Sequence, residues 1–319
     1  MLVIDAEAVH QALDYKALVE KLRQAFIDGA EVPLRQHYPM EQAHQRDATL
    51  LLMPAWRRGG HIVVKLLSVF PDNGERGLPA ISGQVMLING ENGVAMAMIN
   101  GAALTVRRTA CASAVAASYL ARKDASELLM VGAGALAPHL IRAHAAVRPI
   151  KRVSVWNRND DHADAIVEGL KGSGLEAQRV SNLASALPSA DIISCATLSV
   201  EPLVQGDLLK PGAHVDLVGA FKPDMRETDD ATVKRSTLFV DTREGALKEG
   251  GDLVQPLSAG VIQETDIKAD LAELTQGAHP GRKSDEEITL FKSVGTAIED
   301  LAAAELIAER LPELQDPQL

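Results

Sequence analysis

The chain has 319 residues, of which 46% are hydrophobic, 24% charged and 3% aromatic, and its formal net charge is −11. The length suffices for two domains or one large one, with a core of Ala, Val, Leu and Ile rather than aromatic rings. The acidic balance argues against a nucleic-acid partner, because phosphate backbones are bound by basic surfaces.

No apolar run is long enough to cross a bilayer, so no membrane partner is expected. The start MLVIDAEAVHQAL lacks a secretion signal's basic head and apolar core, and a cytoplasmic protein is expected. Cys111 and Cys195 sit among small or apolar residues and read as buried, inert thiols. The nine histidines have no ligand spacing, so no metal site is expected.

Asp14 to Gly29 reads as an amphipathic helix, with Asp14 as N-cap, Gly29 as stop, and Leu18, Val19, Leu22, Ala25 and Phe26 on one face. Strand patterns follow at Thr49–Met53, His61–Val69, Gly83–Asn89 and Val94–Ile99, separated by loops such as PDNGERGLP and NGENG. They predict a β-rich region with mostly hairpin connections. Thr105 to Arg122 reads as a helix crowded with Ala and Ser.

From Glu127 onward strands and helices alternate, which predicts an α/β, doubly wound parallel sheet of Rossmann type. The apolar run Leu128-Leu129-Met130 leads into Val131-Gly132-Ala133-Gly134-Ala135-Leu136-Ala137, a Gly-x-Gly-x-x-Ala turn. In such a turn the first Gly permits the tight bend and the second lets a pyrophosphate approach the backbone. The third small residue packs helix on strand, and the helix N-terminus offers free N–H groups. Gly132, Gly134, Ala135 and Leu136 are therefore candidate cofactor contacts.

The next strand, Arg152–Trp156, ends in Asn157-Arg158-Asn159, where an NAD-binding fold usually carries a ribose-binding carboxylate. A guanidinium there suits a 2′-phosphate, so NADP(H) is expected over NAD(H), with Arg158 as discriminator; the alternative gives the ribose to Asp160 and leaves NAD(H) possible. Further strands are expected at Glu176–Val180, Asp191–Ala196, His214–Val218 and Leu238–Asp241. Glu287 to Gly295 reads as a strand and turn feeding a last helix. That helix shows Ile298, Leu301, Ala304, Ala308 and Leu311 on one face and Glu299, Asp300, Glu305 and Glu309 elsewhere. The tail from Pro312 to Leu319 is expected to fray.

Three isolated cations stand in the N-terminal region: Arg35 in VPLRQHYPM, Lys65 ending HIVVK, and Arg108 near the start of the small-residue helix. A cation among apolar strand residues needs a fixed anionic partner. That partner is either a substrate carboxylate or an Asp or Glu of the chain, and spacing alone does not choose between them.

Four segments, VVKLLSVFPDN, LTVRRTACASAVAA, VGAGALAPHL and ITLFKSVGTAIEDLAAA, resemble the ornithine cyclodeaminase/mu-crystallin family over essentially the full length. The resemblance implies a mixed α+β substrate-binding and dimerisation domain, residues 1–113 with 292–319, and a Rossmann domain, residues 114–291. It implies a nicotinamide cofactor, a small amino or imino acid substrate and a homodimer. By motif, Arg35, Lys65 and Arg108 resemble the family's substrate-carboxylate contacts. Thr109, the GAGALA turn, Thr197, the Val218-Gly219 element and the Ser293-Val294 pair resemble cofactor and active-site contacts.

In one position the chain departs from the cyclodeaminases, which carry an Asp where this sequence has Phe221 in Val218-Gly219-Ala220-Phe221-Lys222-Pro223-Asp224. An apolar ring cannot accept a proton, so a deamination needing that carboxylate lacks its base; neither Asp216 nor Asp224 is an obvious substitute. The GAFKPDMRE run resembles the imine-reducing members instead. The expected reaction is NADPH-dependent reduction of Δ1-pyrroline-2-carboxylate or Δ1-piperideine-2-carboxylate, with Lys65 near the imine nitrogen. A cyclodeaminase, an alanine dehydrogenase-like enzyme and a non-enzymatic dinucleotide-dependent binding protein are the competing readings.

Overall fold

A computed structural model describes residues 1–43 and 45–312. The chain divides into two compact units, residues 1–108 with 296 onward, and residues 109–295.

The first unit starts with β1 (Leu2–Ile4), α1 (Ala6–Ala12) and α2 (Tyr15–Asp28), and continues through β2 (Gln36–Met40), β3 (Ala48–Trp56), β4 (His61–Val69), β5 (Ile81–Asn89) and β6 (Ala95–Asn100). The six strands form one sheet in the order β1-β6-β5-β4-β3-β2. β2 to β6 pair antiparallel and β1 adds parallel to β6. The hairpin reading therefore describes β3 to β6, while β1, α1 and β2 had no strong sequence signal. β1 has three residues, and β2 is an edge strand with four of its five residues exposed, so neither carries an apolar alternation.

α2 is bounded as the sequence implies, with Asp14 Oδ1 accepting from the Ala17 amide at 3.1 Å and Gly29 at φ +73° closing it. Helix α3 (Gly101–Leu120) starts four residues before the expected Thr105, because Asn100 Oδ1 caps it by accepting from the Ala103 amide. The division between the units falls within this helix, after Arg108.

The second unit holds β7 (Glu127–Val131), α4 (Ala137–Val147), β8 (Arg152–Trp156), α5 (Asp160–Gly169), β9 (Glu176–Arg179), α6 (Leu183–Ala186), β10 (Ile192–Cys195) and β11 (His214–Leu217). Then come α7 (Asp230–Arg235), β12 (Ser236–Val240), α8 (Arg243–Glu249), α9 (Gly251–Ser258), β13 (Ile267–Asp270), α10 (Leu271–Thr275) and β14 (Ile288–Lys292). Its eight strands are all parallel, in the order β13-β12-β14-β11-β10-β7-β8-β9. The chain winds outward from β7 to β9 and then returns to start β10 on β7's other side. That reversal creates the crevice at the carboxyl ends of β7 and β10 where doubly wound sheets bind ligands.

The strands expected in this unit agree within two residues at each end, whereas β3 in the first unit runs three residues beyond the expected Met53. β13 carried no alternating pattern, and the last strand, β14, is inserted between β11 and β12 rather than standing at the sheet's edge. Its central place explains its burial: every residue of β14 is buried, Thr289 and Lys292 included, as in β10 and β11.

The last helix, α11 (Ala297–Arg310), packs in the first unit against α2, β3 and β4. It is buried on all sides from Ala297 to Ala308, including Glu299, Asp300 and Glu305. The sequence reading set these carboxylates apart from the buried stripe. They are tolerated inside because each meets a cation, as with Arg57 and Lys21 on Glu305. Except for Pro312, the tail whose fraying was expected lies outside the described residues. No described helix is long and apolar enough to cross a membrane.

Candidate functional site

Two of the three predicted cations meet on one helix start in the first unit. Strand alternation puts Lys65 on the same face of β4 as buried Val63, the face covered by α11, while Leu66 points to the opposite, open side. Lys65 is fully buried, and its Nζ donates to Asp300 Oδ1 at 3.0 Å. Arg108 Nε donates to the same oxygen at 3.1 Å, and its Nη1 donates to Glu299 Oε2 at 2.5 Å. Both carboxylates lie in the first turn of α11, where the helix dipole favours negative charge.

Burial, with the Arg108 charge beside it, brings the Lys65 ammonium down from 10.5 to about 8 against the opposing pull of Asp300. A lysine with that pKa can give or take a proton near neutral pH. Asp300 Oδ2 is buried with no hydrogen-bond partner among the described residues, so the cluster has an acceptor left over. Arg35, the third cation, precedes β2 and is half-buried.

Sequence reasoning missed Glu299 and Asp300. Their signal was present: two adjacent acids one turn into a helix whose continuation, Leu301-Ala302-Ala303-Ala304, is apolar on every side.

In the second unit the Gly-x-Gly-x-x-Ala turn joins β7 to α4. Gly132 has φ +107°, and a Cβ there would lie 2.7 Å from the Ala196 carbonyl oxygen, so the position tolerates only glycine. A Cβ on Gly134 would meet nothing within 4 Å, which leaves the backbone open to a ligand. No side chain caps α4, whose N-cap is Leu136. An uncapped helix start beneath an open glycine turn fits a pyrophosphate.

Over the turn lies a cavity of about 230 Å³. It is lined by Gly132, Ala133 and Gly134, by Trp156, Asn157, Arg158 and His162, and by Ala196, Thr197, Leu198, Ser199 and Leu203. Predicted contacts Gly132, Gly134, Asn157, Arg158 and Thr197 thus face one space. Ala135 and Leu136 lie in the turn without lining it, and Asn159 is the N-cap of α5, accepting from the Asp161 amide. Asp160, the alternative ribose ligand, pairs with Arg179, as does Asp164.

Val218 and Gly219 follow β11, and Ser293 and Val294 follow β14, all at the same edge of the sheet but outside that cavity's lining. Their backbones are held: the Val218 amide donates to Cys195 O, the Ser293 amide to Leu217 O, and the Val294 and Gly295 amides to Asp241 Oδ2. Thr109 is buried within α3. His162 and Trp156 were not singled out from the sequence, since their relevance depends on how α5 and β8 face the turn.

Asp216, which precedes Phe221 in the chain, is buried on β11 and accepts from Ser194 Oγ at 2.7 Å, with His144 Nε2 at 3.1 Å. Burial pushes its pKa up, but the His144 and Ser194 contacts prevail and hold it below the usual range. Asp224 is exposed on the loop. The carboxylate that does reach the loop after β11 belongs to Glu227, fully buried and absent from the sequence reading.

The family model described as "Ornithine cyclodeaminase/mu-crystallin family" matches residues 1–315. The chain is 40% identical over 294 residues to a Δ1-pyrroline-2-carboxylate reductase of Paracoccus denitrificans, covering 90% of this chain and 93% of the relative. Its fold is similar to that of the Thermococcus litoralis Δ1-pyrroline-2-carboxylate reductase in complex with NADH and L-proline, with TM-score 0.91, 36% identity and 97% of each chain covered. It is also similar to an archaeal alanine dehydrogenase dimer with bound NAD, with TM-score 0.88, 29% identity and 97% and 95% coverage. The chain belongs to the ornithine cyclodeaminase/mu-crystallin family.

Proposed function

We propose that the protein is a nicotinamide-dependent imine reductase that converts a small cyclic α-imino acid, Δ1-pyrroline-2-carboxylate or Δ1-piperideine-2-carboxylate, to the L-amino acid. The observation that carries this reading is that the chain holds both an open glycine turn, in the second unit, and a buried Lys65–Asp300–Arg108 cluster, in the first. The likeness to Δ1-pyrroline-2-carboxylate reductases over nearly the whole chain supports the same class. The domain roles follow: residues 1–113 with 292–319 for substrate and dimer contacts, and 114–291 for the dinucleotide.

Gly132, Gly134, Ala135 and Leu136 would hold the pyrophosphate, and Thr109, Asn157, Asn159, Thr197, Val218, Gly219, Ser293 and Val294 further parts of the dinucleotide. A nicotinamide bound by these residues supplies hydride for the imine carbon. Arg35 and Arg108 engage the substrate carboxylate, where a guanidinium's paired N–H groups match its two oxygens. Lys65 gives a proton to the imine nitrogen, which makes the C=N carbon more electrophilic and balances the charge of the amine product. Asp300 Oδ2 is suited to accept from the protonated nitrogen.

At the adenosine end we propose NADP(H) over NAD(H). Arg158 and His162 line the cavity, whereas Asp160, the alternative ribose ligand, is engaged by Arg179 and lies outside the lining. A homodimer accords with the exposed apolar side chains Tyr38, Leu66 and Ile81 on the first unit's sheet.

The test is a panel of cyclic imino acids, pyruvate with ammonia, and ornithine, each assayed with NADPH and NADH. Fastest turnover of a cyclic imino acid with NADPH is expected. Ammonia release from ornithine as the main activity would overturn the reading in favour of the lyase.

A further inference from the structure

Glu227 stands apart from the proposed contacts, yet its carboxylate accepts four hydrogen bonds from two loops. Its Oε1 accepts from the Thr197 amide at 2.7 Å and the Thr197 hydroxyl at 2.8 Å. Its Oε2 accepts from the Gly219 amide at 2.9 Å and the Ala220 amide at 3.3 Å. One carboxylate thus bridges the loop after β10 to the loop after β11, both at the carboxyl edge of the sheet.

The loops are in backbone contact there. A Cβ on Gly219 would collide with the Thr197 backbone and lie 2.6 Å from Glu227 Oε1. Behind Glu227 its own amide donates to Asp252 Oδ1 at 2.7 Å, and Asp252 Oδ2 lies 3.2 Å from Lys292 Nζ at the end of β14. Glu227, Asp252 and Lys292 are all fully buried. A chain of contacts therefore runs from the end of β14 through Asp252 to the loops after β10 and β11.

Resting on the dinucleotide reading above, we propose that Glu227 is a positioning residue, which by clamping Thr197 to Gly219 and Ala220 sets the floor on which the dinucleotide lies. It is not itself a lining residue of the cavity and touches no reacting atom; it acts through Thr197, which does line the cavity. Its protonation state controls the clamp, because a protonated carboxyl oxygen turns from acceptor to donor and confronts an amide N–H.

Burial, reinforced by the charge of Asp252, pushes the Glu227 carboxyl up to about 7, against Lys292 and the Thr197 hydrogen bonds. The buried Cys195 thiol of β10 is pushed well up by burial and by the charges of Glu227 and Asp252, so it stays neutral and adds no charge beside the clamp. As pH falls through about 7, Glu227 takes up a proton, the clamp loosens and dinucleotide affinity drops.

The experiment is a calorimetric titration of the whole protein with NADH, which has no 2′-phosphate to titrate, between pH 5.5 and 8.5, on wild type, Glu227→Gln and Glu227→Asp. Wild type is expected to bind about tenfold more weakly at the acid end. Glu227→Gln is expected to bind about tenfold more weakly throughout, without the step near neutrality, and Glu227→Asp, too short to reach both loops, to fall between. In steady-state assays KM for NADH should rise in the variants while KM for the imino acid stays constant. The variants differ from wild type only at position 227, so the difference between their pH profiles isolates Glu227. A Glu227→Gln profile superimposable on wild type overturns the clamp. If both variants fail to fold, a wild-type Kd that does not vary with pH overturns it alone. Wild type that binds neither NADH nor, in a parallel titration, NADPH at any pH removes the cofactor reading itself, and the clamp with it.

Discussion

Lys65 and Arg158 each test one end of the proposed chemistry. Lys65 must be protonated to donate to the imine nitrogen, and its ammonium sits at about 8 rather than 10.5. The protonated fraction is complete below that value and lost above it. The kcat/KM for imine reduction should therefore fall as pH rises through about 8. Lys65→Gln should lower kcat/KM about 10²- to 10⁴-fold and abolish that alkaline limb; an unchanged limb in the variant would assign it to another group. Arg158→Ser removes the proposed partner of a 2′-phosphate, a charge-assisted contact. NADPH kcat/KM is expected to fall about 10- to 100-fold, with NADH little changed. Equal losses with both cofactors would make Arg158 a general contact rather than the discriminator.

At the scale of elements, the β7–α4 turn and the start of α11 are the parts with least latitude. Gly132→Ala places a methyl 2.7 Å from the Ala196 carbonyl at φ +107°. Dinucleotide affinity should drop at least about tenfold, with far-ultraviolet circular dichroism unchanged; wild-type affinity would show that the turn can reshape. Asp300→Ala leaves Lys65 and Arg108 without their shared oxygen in a buried setting. Breaking a buried pair costs about 3–5 kcal/mol, read as an earlier urea midpoint; a shift below about 1 kcal/mol would mean that Glu299 compensates.

These two elements also mark what was legible in sequence. The glycine turn announces itself, because its residue types are forced by backbone geometry and local spacing. Helix α11 was legible as a helix, but its acids were assigned away from the buried stripe: a 3.6-residue pattern cannot reveal that Lys65, far upstream in sequence, comes to meet Asp300. Glu227 was hidden for the same reason, since its four donors come from two loops before it in the chain. Edge strand β2 and three-residue β1 escaped because exposed or very short strands leave no apolar alternation.

At the scale of the whole molecule, the sequence alternation after Glu127 predicted the parallel sheet, and only three dimensions showed β14 inserted within it. The strand order 3-2-1-4-5 across β9 to β11 creates the crevice, and Gly132, Gly134, Arg158 and Thr197 all belong to it. A nicotinamide delivered to this chain must then reduce a carboxylate-anchored imine. The most direct measurement uses NADPH deuterated on both C4 positions with Δ1-pyrroline-2-carboxylate, and reads the product by mass spectrometry. The account predicts L-proline carrying one deuterium at its α-carbon. Unlabelled proline, or cofactor left unoxidised while substrate is consumed, would contradict it.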